Sequence, residues 1–329
     1  MPFLPVNKAE MLARGWDRPD FVYVSGDAYV DHPSFGHAII TRMLESRGYK
    51  VAMLAQPDWK NIKAFKEFGR PRLGFLVSSG NIDSMVNAYT AAKKPRSRDV
   101  YSPGGRAGLR PNRADIVYTN CIRQAYKNMP VILGGVEASL RRMAHYDYWE
   151  DRVRASILVD SGADLLLFGM GERSIIELAD ALESGIPIKE ITYINGSAYI
   201  ADNLDNVYDY EIIESFEEVR QDKRAYASAF MKQYVQQSPQ GKRLVQKHGK
   251  AYVVCNPPQE ALSQAEMDET YALPYERTYH PMYQSAGGVP AIEEVKYSIT
   301  SSRGCFGGCN FCALTFHQGR KVTSRSHAA

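Results

Sequence analysis

The chain has 329 residues, of which 44% are hydrophobic and 23% are charged, and its formal net charge is +3. A chain of this length can bury substantial cores, and we expect two or three domains. The small net charge does not predict nucleic-acid binding by the chain as a whole. No run approaches the roughly 20 apolar residues of a membrane span, and Met1 to Trp16 has no signal-peptide pattern, so we expect a cytoplasmic protein without a membrane segment.

The first 190 residues alternate between short apolar runs and amphipathic segments. Residues 1–20 are interpreted as an N-terminal arm with one short helix, Lys8 to Arg14. Parallel strands need crossover helices and are buried on both faces, so the pattern after the arm predicts a Rossmann-like, doubly wound parallel sheet over residues 20–190. The predicted strands are Phe21–Ser25, Lys50–Ala55, Leu73–Ser78, Val131–Gly135 and Leu165–Gly169.

Ligands of such sheets bind outside the carboxyl ends of the strands, and one loop there is rich in glycine. Gly169-Met170-Gly171-Glu172 opens a predicted helix, but Ser174 stands where a dinucleotide fingerprint has its third glycine. The pattern therefore favours a tight turn, with Glu172 at the positive helix terminus, over an NAD site.

Two further segments of this half carry recognition-type side chains. Residues 93–113 contain seven Lys and Arg residues against Asp99 alone, which suits phosphate or RNA binding, although a solvated loop is favoured because stacking aromatics are sparse. Met143 to Trp149 is dense in aromatic residues. This segment suits either a substrate cleft or packing at a domain interface, and packing is favoured.

From about residue 191 to residue 290 the periodicity changes to that of an α+β connector. Ile191–Ala201 and Arg243–Cys255 are predicted to form hairpins, and Ser215 caps a long helix predicted over residues 215–237. Cys255 and the earlier Cys121 are predicted to be buried thiols.

Three of the five cysteines lie within eight residues, at the spacing C-x3-C-x2-C: Cys305, Cys309 and Cys312. Glycines at positions 304, 307 and 308 permit the sharp turns that bring such thiolates together. A disulfide is disfavoured for an odd cluster in a reducing compartment. Thiolate chemistry leaves two possibilities open: a zinc site completed by His317, and an iron–sulfur cluster with one iron free of protein ligands.

The full stretch resembles the cluster loop of the radical S-adenosylmethionine (SAM) superfamily, through the cysteine spacing, Phe311 before the last cysteine and a predicted strand at Glu294–Thr300. The resemblance implies that Cys305, Cys309 and Cys312 hold a 4Fe-4S cluster and that its open iron binds SAM. It also implies that Phe311 lies beside the adenine. Reductive cleavage of SAM to a 5′-deoxyadenosyl radical would then need an electron donor such as flavodoxin or ferredoxin.

The chain further resembles the YgiQ-type radical SAM family, through residues 134–142, 145–149 and 302–314. The family leaves the substrate unknown. Residues 20–190 also resemble the cobalamin-binding-like domain that precedes many radical SAM cores, through Gly134-Gly135 after one predicted strand and Asp164-Leu165-Leu166 to Gly171-Glu172 after the next. Cobalamin itself is not expected. The cobalt-binding motif is Asp-x-His-x-x-Gly, whereas Asp31-His32-Pro33-Ser34-Phe35-Gly36 places the histidine one residue early and the glycine one late.

Only 17 residues follow Cys312, whereas a (β/α) barrel takes about 200 or more. We therefore expect residues 291–329 to be the first strand and cluster loop of a truncated radical SAM barrel. On this basis the 329-residue chain is expected to be inactive alone.

Overall fold

The computed structural model describes residues 2–309 and 311–329 and has an α/β fold. Its α-helices are α1 Lys8–Ala13, α2 Gly36–Ser46, α3 Ser84–Ala88, α4 Ala114–Ala125, α5 Gly135–Leu140, α6 Ile157–Ser161, α7 Glu172–Glu183, α8 Phe216–Gln221, α9 Lys223–Val235, α10 Gln264–Ala272, α11 Ile292–Val295 and α12 Leu314–His317. Short 3-10 helices lie at Ile62–Lys66, Pro103–Gly105, Ile188–Glu190 and Pro281–Ala286. Across the described residues, no helix has the length and apolar character needed to cross a membrane.

The strands are mostly short. They are β1 Phe21–Ser25, β2 Val30–Asp31, β3 Val51–Ala55, β4 Gly74–Ser78, β5 Val131–Gly134, β6 His145–Asp147, β7 Arg152–Arg154, β8 Leu165–Leu167, β9 Ser197–Ala201, β10 Tyr210–Ile213, β11 Arg243–His248, β12 Ala251–Cys255, β13 Thr278–Tyr279, β14 Ser302–Arg303 and β15 Thr323–Ser324.

The chain divides into two compact units. The first unit comprises Met1–Glu137, Leu262–Ser302 and Ser324–Ala329, and the second comprises Ala138–Ala261 and Arg303–Thr323. The cysteine loop therefore belongs to the second unit. The predicted division at residues 20, 190 and 290 does not coincide with these units and stays a prediction.

The first unit is built on parallel strands in the order β5-β4-β1-β3, as the alternating pattern predicts. Tyr23 of β1 lies opposite Met53 of β3 on one side and Leu76 of β4 on the other. All five residues of β1 are buried, which is why the strand reads as a continuous apolar run without alternation.

The second unit holds a mixed sheet in the order β10-β11-β12-β9-β8. Strand β9, which lies beyond the predicted residues 20–190, pairs antiparallel with β8, Leu167 lying opposite Ser197. The segment between α7 and β9 returns the chain to the carboxyl end of β8, so the next strand starts there and runs backwards. The predicted hairpin of β11 and β12 is confirmed.

The predicted hairpin at residues 191–201 is wrong in its first half. Only β9 is a strand, and the buried Ile191 and Ile194 precede it in an irregular segment. The side-chain amide of Asn256 donates to the carbonyls of Thr192 (2.9 Å) and Ile194 (3.0 Å). These carbonyls are therefore satisfied by a side chain instead of a strand partner.

The long helix predicted over residues 215–237 is two helices, α8 and α9. Asp222 between them has extended backbone angles, and its carboxylate accepts the Arg224 N–H as the N-cap of α9. A short acidic side chain that caps the following helix competes with continuation of the preceding one. The predicted cap at Ser215 is confirmed, in a capping box with Glu218.

The strand predicted at Glu294–Thr300 is not formed. The chain makes the single turn of α11 and then continues without strand structure to Thr300. Tyr297 and Ile299, which alternate as strand residues would, are 89% and 76% exposed. An extended segment is stable only when it pairs or is covered, and this one is not covered by the described residues.

Candidate functional site

The backbone around the first cysteine is closed by hydrogen bonds to the residues that follow α12. The Cys305 N–H donates to the Gly319 carbonyl (3.0 Å), and the Gly304 N–H donates to Gln318 Oε1 (3.3 Å). Gly304 has a φ of +88°, and a Cβ built there would overlap the Lys321 carbonyl. Glycine tolerates the positive φ and has no Cβ to overlap the carbonyl, so a glycine at this position allows the loop base to close.

Two of the three sulfur atoms face the same point beside Gly307. A Cβ built on Gly307 would lie 3.3 Å from Cys305 Sγ and 3.9 Å from Cys309 Sγ. The Gly307 N–H donates to Cys305 Sγ (3.4 Å), and the Cys312 N–H donates to the Cys309 carbonyl (3.1 Å). The absent side chain at Gly307 therefore leaves room beside two thiols, one of which accepts an amide hydrogen bond.

The histidine predicted as a zinc ligand has another partner. His317 Nδ1 lies 3.0 Å from Ser139 Oγ, which also accepts the Gly169 N–H (3.2 Å). Burial lowers the pKa of His317 to about 4, with Arg142 among the charges that lower it further. Within residues 2–309 and 311–329, no three His, Cys, Asp or Glu side chains are grouped to hold one metal ion. The four-ligand zinc set is therefore not assembled, and neither are all three sulfurs around one ion.

A buried ion pair joins the cysteine segment to the glycine-rich turn before α7. The Arg303 guanidinium bonds the Glu172 carboxylate, and both residues are buried. Arg303 also approaches Met170 Sδ (3.5 Å). Glu172 begins α7, as predicted. Its carboxylate therefore interacts favourably with the positive end of the helix and also pairs with Arg303, two positions before Cys305.

An aromatic cluster from α9 and α12 supports the other side of the loop. The ring of Phe316 lies 5.5 Å from that of Phe230 and 6.0 Å from that of Tyr234. The Arg320 guanidinium stacks on Tyr234 at 4.1 Å, and a Cβ on Gly308 would lie 3.2 Å from the Tyr234 hydroxyl. Helical periodicity predicts the apolar face of α9, but it gives no signal of the loop that packs on that face.

The other loop residues and cysteines differ in exposure. Phe311, predicted beside the adenine, is 93% exposed, and Phe306 is 86% exposed. Cys121 and Cys255 are buried, as predicted, and burial raises the pKa of both thiols.

One cation of the basic segment at residues 93–113 is structural. Arg110 is buried and pairs with Asp27 (2.7 Å) and Asp99 (3.4 Å) in the first unit. Burial raises the pKa of Asp27 to about 6, against the lowering effect of the Arg110 charge. Arg110 is therefore engaged inside the unit, and this arrangement gives no support to phosphate binding by that residue.

His32, the residue considered for cobalamin ligation, is buried in the first unit. Its Nδ1 accepts the Ser34 N–H (3.1 Å), and burial lowers its pKa. Its Nε2 is buried and has no hydrogen-bond partner among the described residues. The absence of cobalamin stays a prediction.

The aromatic segment at residues 143–149 is not uniformly packed, which corrects the expectation of a buried core. Tyr146 and Tyr148 are each 48% exposed, although Met143 is buried. The segment contains β6, which pairs with β7 in a hairpin, and the Asp147 carboxylate accepts the N–H of Trp149 (2.9 Å). An aromatic residue on a short two-stranded hairpin has one face without a covering layer.

Residues 3–298 match the model of a family described as Radical SAM N-terminal. The chain belongs to this family. The matched residues end before Cys305, so the match to the Radical SAM N-terminal family does not itself include the cysteine loop.

Two curated relatives are 59% identical to the chain. UPF0313 protein CPE1196 of Clostridium perfringens (strain 13 / Type A) matches over 326 residues, which are 98% of this chain and 49% of the relative. A UPF0313 protein of Clostridium botulinum (strain Loch Maree / Type A3) matches over 327 residues, 99% of this chain and 51% of the relative. The chain thus spans about half the length of these relatives, and they confirm its resemblance to the YgiQ-type radical SAM family.

Among solved structures, the chain is similar to the radical S-adenosylmethionine methyltransferase TsrM from Kitasatospora setae, solved with tryptophan substrate and a SAM analogue bound. The TM-score is 0.50 at 17% identity, covering 94% of this chain and 43% of TsrM. At this identity the likeness concerns the fold alone.

Proposed function

We propose that the chain supplies the cluster loop of a radical SAM enzyme and that Cys305, Cys309 and Cys312 hold a 4Fe-4S cluster. The observation that carries the proposal is the placement of Cys305 Sγ and Cys309 Sγ within 4 Å of one point beside Gly307, in a member of the Radical SAM N-terminal family. Thiolates are the preferred ligands of iron–sulfur clusters. When bound, the cluster supplies an electron for reductive cleavage of SAM to a 5′-deoxyadenosyl radical.

The residues of the loop have distinct roles in this proposal. Three thiolates leave one iron of a four-iron cluster for SAM. The Gly307 N–H donates to Cys305 Sγ, and hydrogen bonds to cluster sulfurs tune the reduction potential. The hydrogen bonds of Gly304 and Cys305 to residues 318–319 hold the base of the loop. The exposed ring of Phe311 is available to the adenine of SAM.

The proposal leaves the substrate open and needs an external one-electron donor such as flavodoxin or ferredoxin. Cobalamin is not part of the proposal, because His32 is buried and the spacing of Asp31, His32 and Gly36 differs from that of the cobalt-binding motif. Residues 20–190 are proposed to bind the substrate or to dock the remainder of the enzyme.

The test is metal and sulfide analysis of protein at the relatives' full length, after anaerobic reconstitution. We expect about four iron atoms and four sulfides per chain, lost when any one of the three cysteines is changed to Ser. Cys121→Ala is the matched control, because this buried thiol lies in the first unit. One zinc without sulfide would contradict the proposal, and a full cluster in a Ser variant would remove that cysteine from the ligand set.

A further inference from the structure

The second unit contains a cavity of about 130 Å³ that the cluster proposal does not use. We call it the Arg142 pocket. Its lining includes the polar residues Arg142, His145, Tyr226 and Gln233 and the apolar residues Leu140, Val219, Ala229, Phe230 and Phe316. A cavity of roughly 150 Å³ holds a molecule as large as benzene, so this volume suits a ligand of about six or seven non-hydrogen atoms.

Arg142 brings a buried positive charge to the pocket. The residue is 8% exposed, its guanidinium donates to the Ser139 carbonyl, and it stacks over the Phe168 ring at 4.6 Å. No carboxylate pairs with it in the described part of the chain. The nearby Cys255 thiol does not supply a negative charge, because burial raises its pKa. A buried cation without an anionic partner is costly, so the pocket favours an anion.

His145 brings a hydrogen-bond acceptor. Its Nδ1 lies 3.3 Å from the Met143 carbonyl, which can only accept, so Nδ1 carries the proton. Burial lowers the pKa of His145 to about 4, and the Arg141 and Arg154 charges lower it further, so the ring is neutral. Nε2 is then a bare acceptor, and it is buried without a hydrogen-bond partner among the described residues. A ligand that satisfies it has to donate a hydrogen bond.

These features specify one chemical class. We propose that the Arg142 pocket binds a small aliphatic hydroxycarboxylic acid. Its carboxylate pairs with Arg142, its hydroxyl donates to His145 Nε2, and its alkyl group packs against the apolar walls. The proposal does not depend on the cluster, since no cysteine lines the pocket.

Phe316 connects the pocket to the cluster loop. It lies on α12, four residues after Cys312, and lines the pocket while it packs on Phe230 and Tyr234. A ligand in the pocket therefore contacts the segment that closes the loop.

The experiment is calorimetric titration of protein at the relatives' full length with three probes. The first is 2-hydroxybutanoate, the second is butanoate, which lacks the hydroxyl, and the third is 2-hydroxybutanamide, which lacks the charge. We expect the hydroxy acid to bind about tenfold or more tightly than either of the other probes, because the acid without a hydroxyl offers no hydrogen bond to His145 Nε2 and the amide leaves the Arg142 charge without a counter-charge.

Variants separate the two polar contacts. Arg142→Met should abolish the preference for acid over amide, and His145→Leu should abolish the preference for hydroxy acid over butanoate. Ala229→Leu should weaken binding of all three probes by filling the cavity, without touching either polar group. The matched control is Arg220→Met, an exposed arginine next to the pocket residue Val219, and it should leave all three affinities unchanged.

The titrations are repeated with cluster-free protein and with Cys305→Ser, in which binding should persist. A failure of the cluster proposal would therefore leave this result intact. The pocket proposal is overturned if the hydroxy acid does not bind at about 1 mM, or if its advantage over the amide survives in Arg142→Met.

Discussion

Arg303 and Glu172, 131 residues apart in the chain, form a buried ion pair that joins the residue two positions before Cys305 to the start of α7. The pair holds the entry of the cysteine loop against the sheet of its own unit. Removing one partner of a buried pair leaves the other charge desolvated, which typically costs about 3–5 kcal/mol.

Glu172→Gln should therefore lower the free energy of unfolding by about 3 kcal/mol, measured by urea denaturation. The double variant Arg303→Met/Glu172→Leu serves as the control, because it removes both charges and should recover most of the loss. An equal loss in the single and double variants would show that the charge pairing is not what stabilises this contact.

Gly304→Ala should disrupt the loop base, because its Cβ would overlap the Lys321 carbonyl as well as straining a positive φ. Gly319→Ala is the matched control. Gly319 also has a positive φ, +83°, but a Cβ there has open space, so only the backbone strain of about 1–2 kcal/mol applies. Iron content after reconstitution should fall much further in Gly304→Ala, and similar iron contents in the two variants would argue against a rigid loop base.

Asp27 should make the protein less stable as the pH rises. Burial raises its pKa from 3.8 to about 6, so the folded state holds a proton that the unfolded chain releases between these values. Its contribution is complete below the lower value and is lost as the pH rises through the higher one, by about 3 kcal/mol in all. Asp27→Asn lacks this dependence. The difference in unfolding free energy between the parent and this variant, measured across the window, should change by that amount, whereas a constant difference would refute the assignment.

Phe311→Leu should weaken SAM binding about tenfold, because stacking of a base on an aromatic ring contributes about 1–3 kcal/mol. Phe306→Leu is the matched control, since Phe306 is a similarly exposed ring of the same loop. Equilibrium binding of SAM to reconstituted protein measures the effect. Equal losses in both variants would mean that neither ring has a specific role at the adenine.

Local patterns account for the parts of the fold that sequence predicts well. The apolar run Phe21–Ser25 is a strand because all five residues are buried, and Glu172–Glu183 is a helix because its apolar residues share one face. The cysteine loop is recognisable for the same reason, since its ligands and turn glycines are neighbours in the chain.

Contacts between distant residues account for what the sequence does not predict. The Asn256 side-chain amide donates to the carbonyls of Thr192 and Ile194. These carbonyls are then not available to the hairpin that the strand propensity of this segment favours. The sequence around Arg303 or Glu172 gives no signal that these two residues form an ion pair. The Arg142 pocket likewise depends on α9 and α12 packing beside the β6 hairpin, so the segment at residues 143–149 suggests recognition but not its chemistry.

The central claim is that the three cysteines hold a cluster whose open iron binds SAM. The most direct measurement is electron paramagnetic resonance of the reduced, reconstituted protein with and without SAM. The account predicts a reduced 4Fe-4S signal that changes when SAM is added and is absent from Cys309→Ser. A signal that is unaffected by saturating SAM, or that persists without the Cys309 thiol, would contradict it.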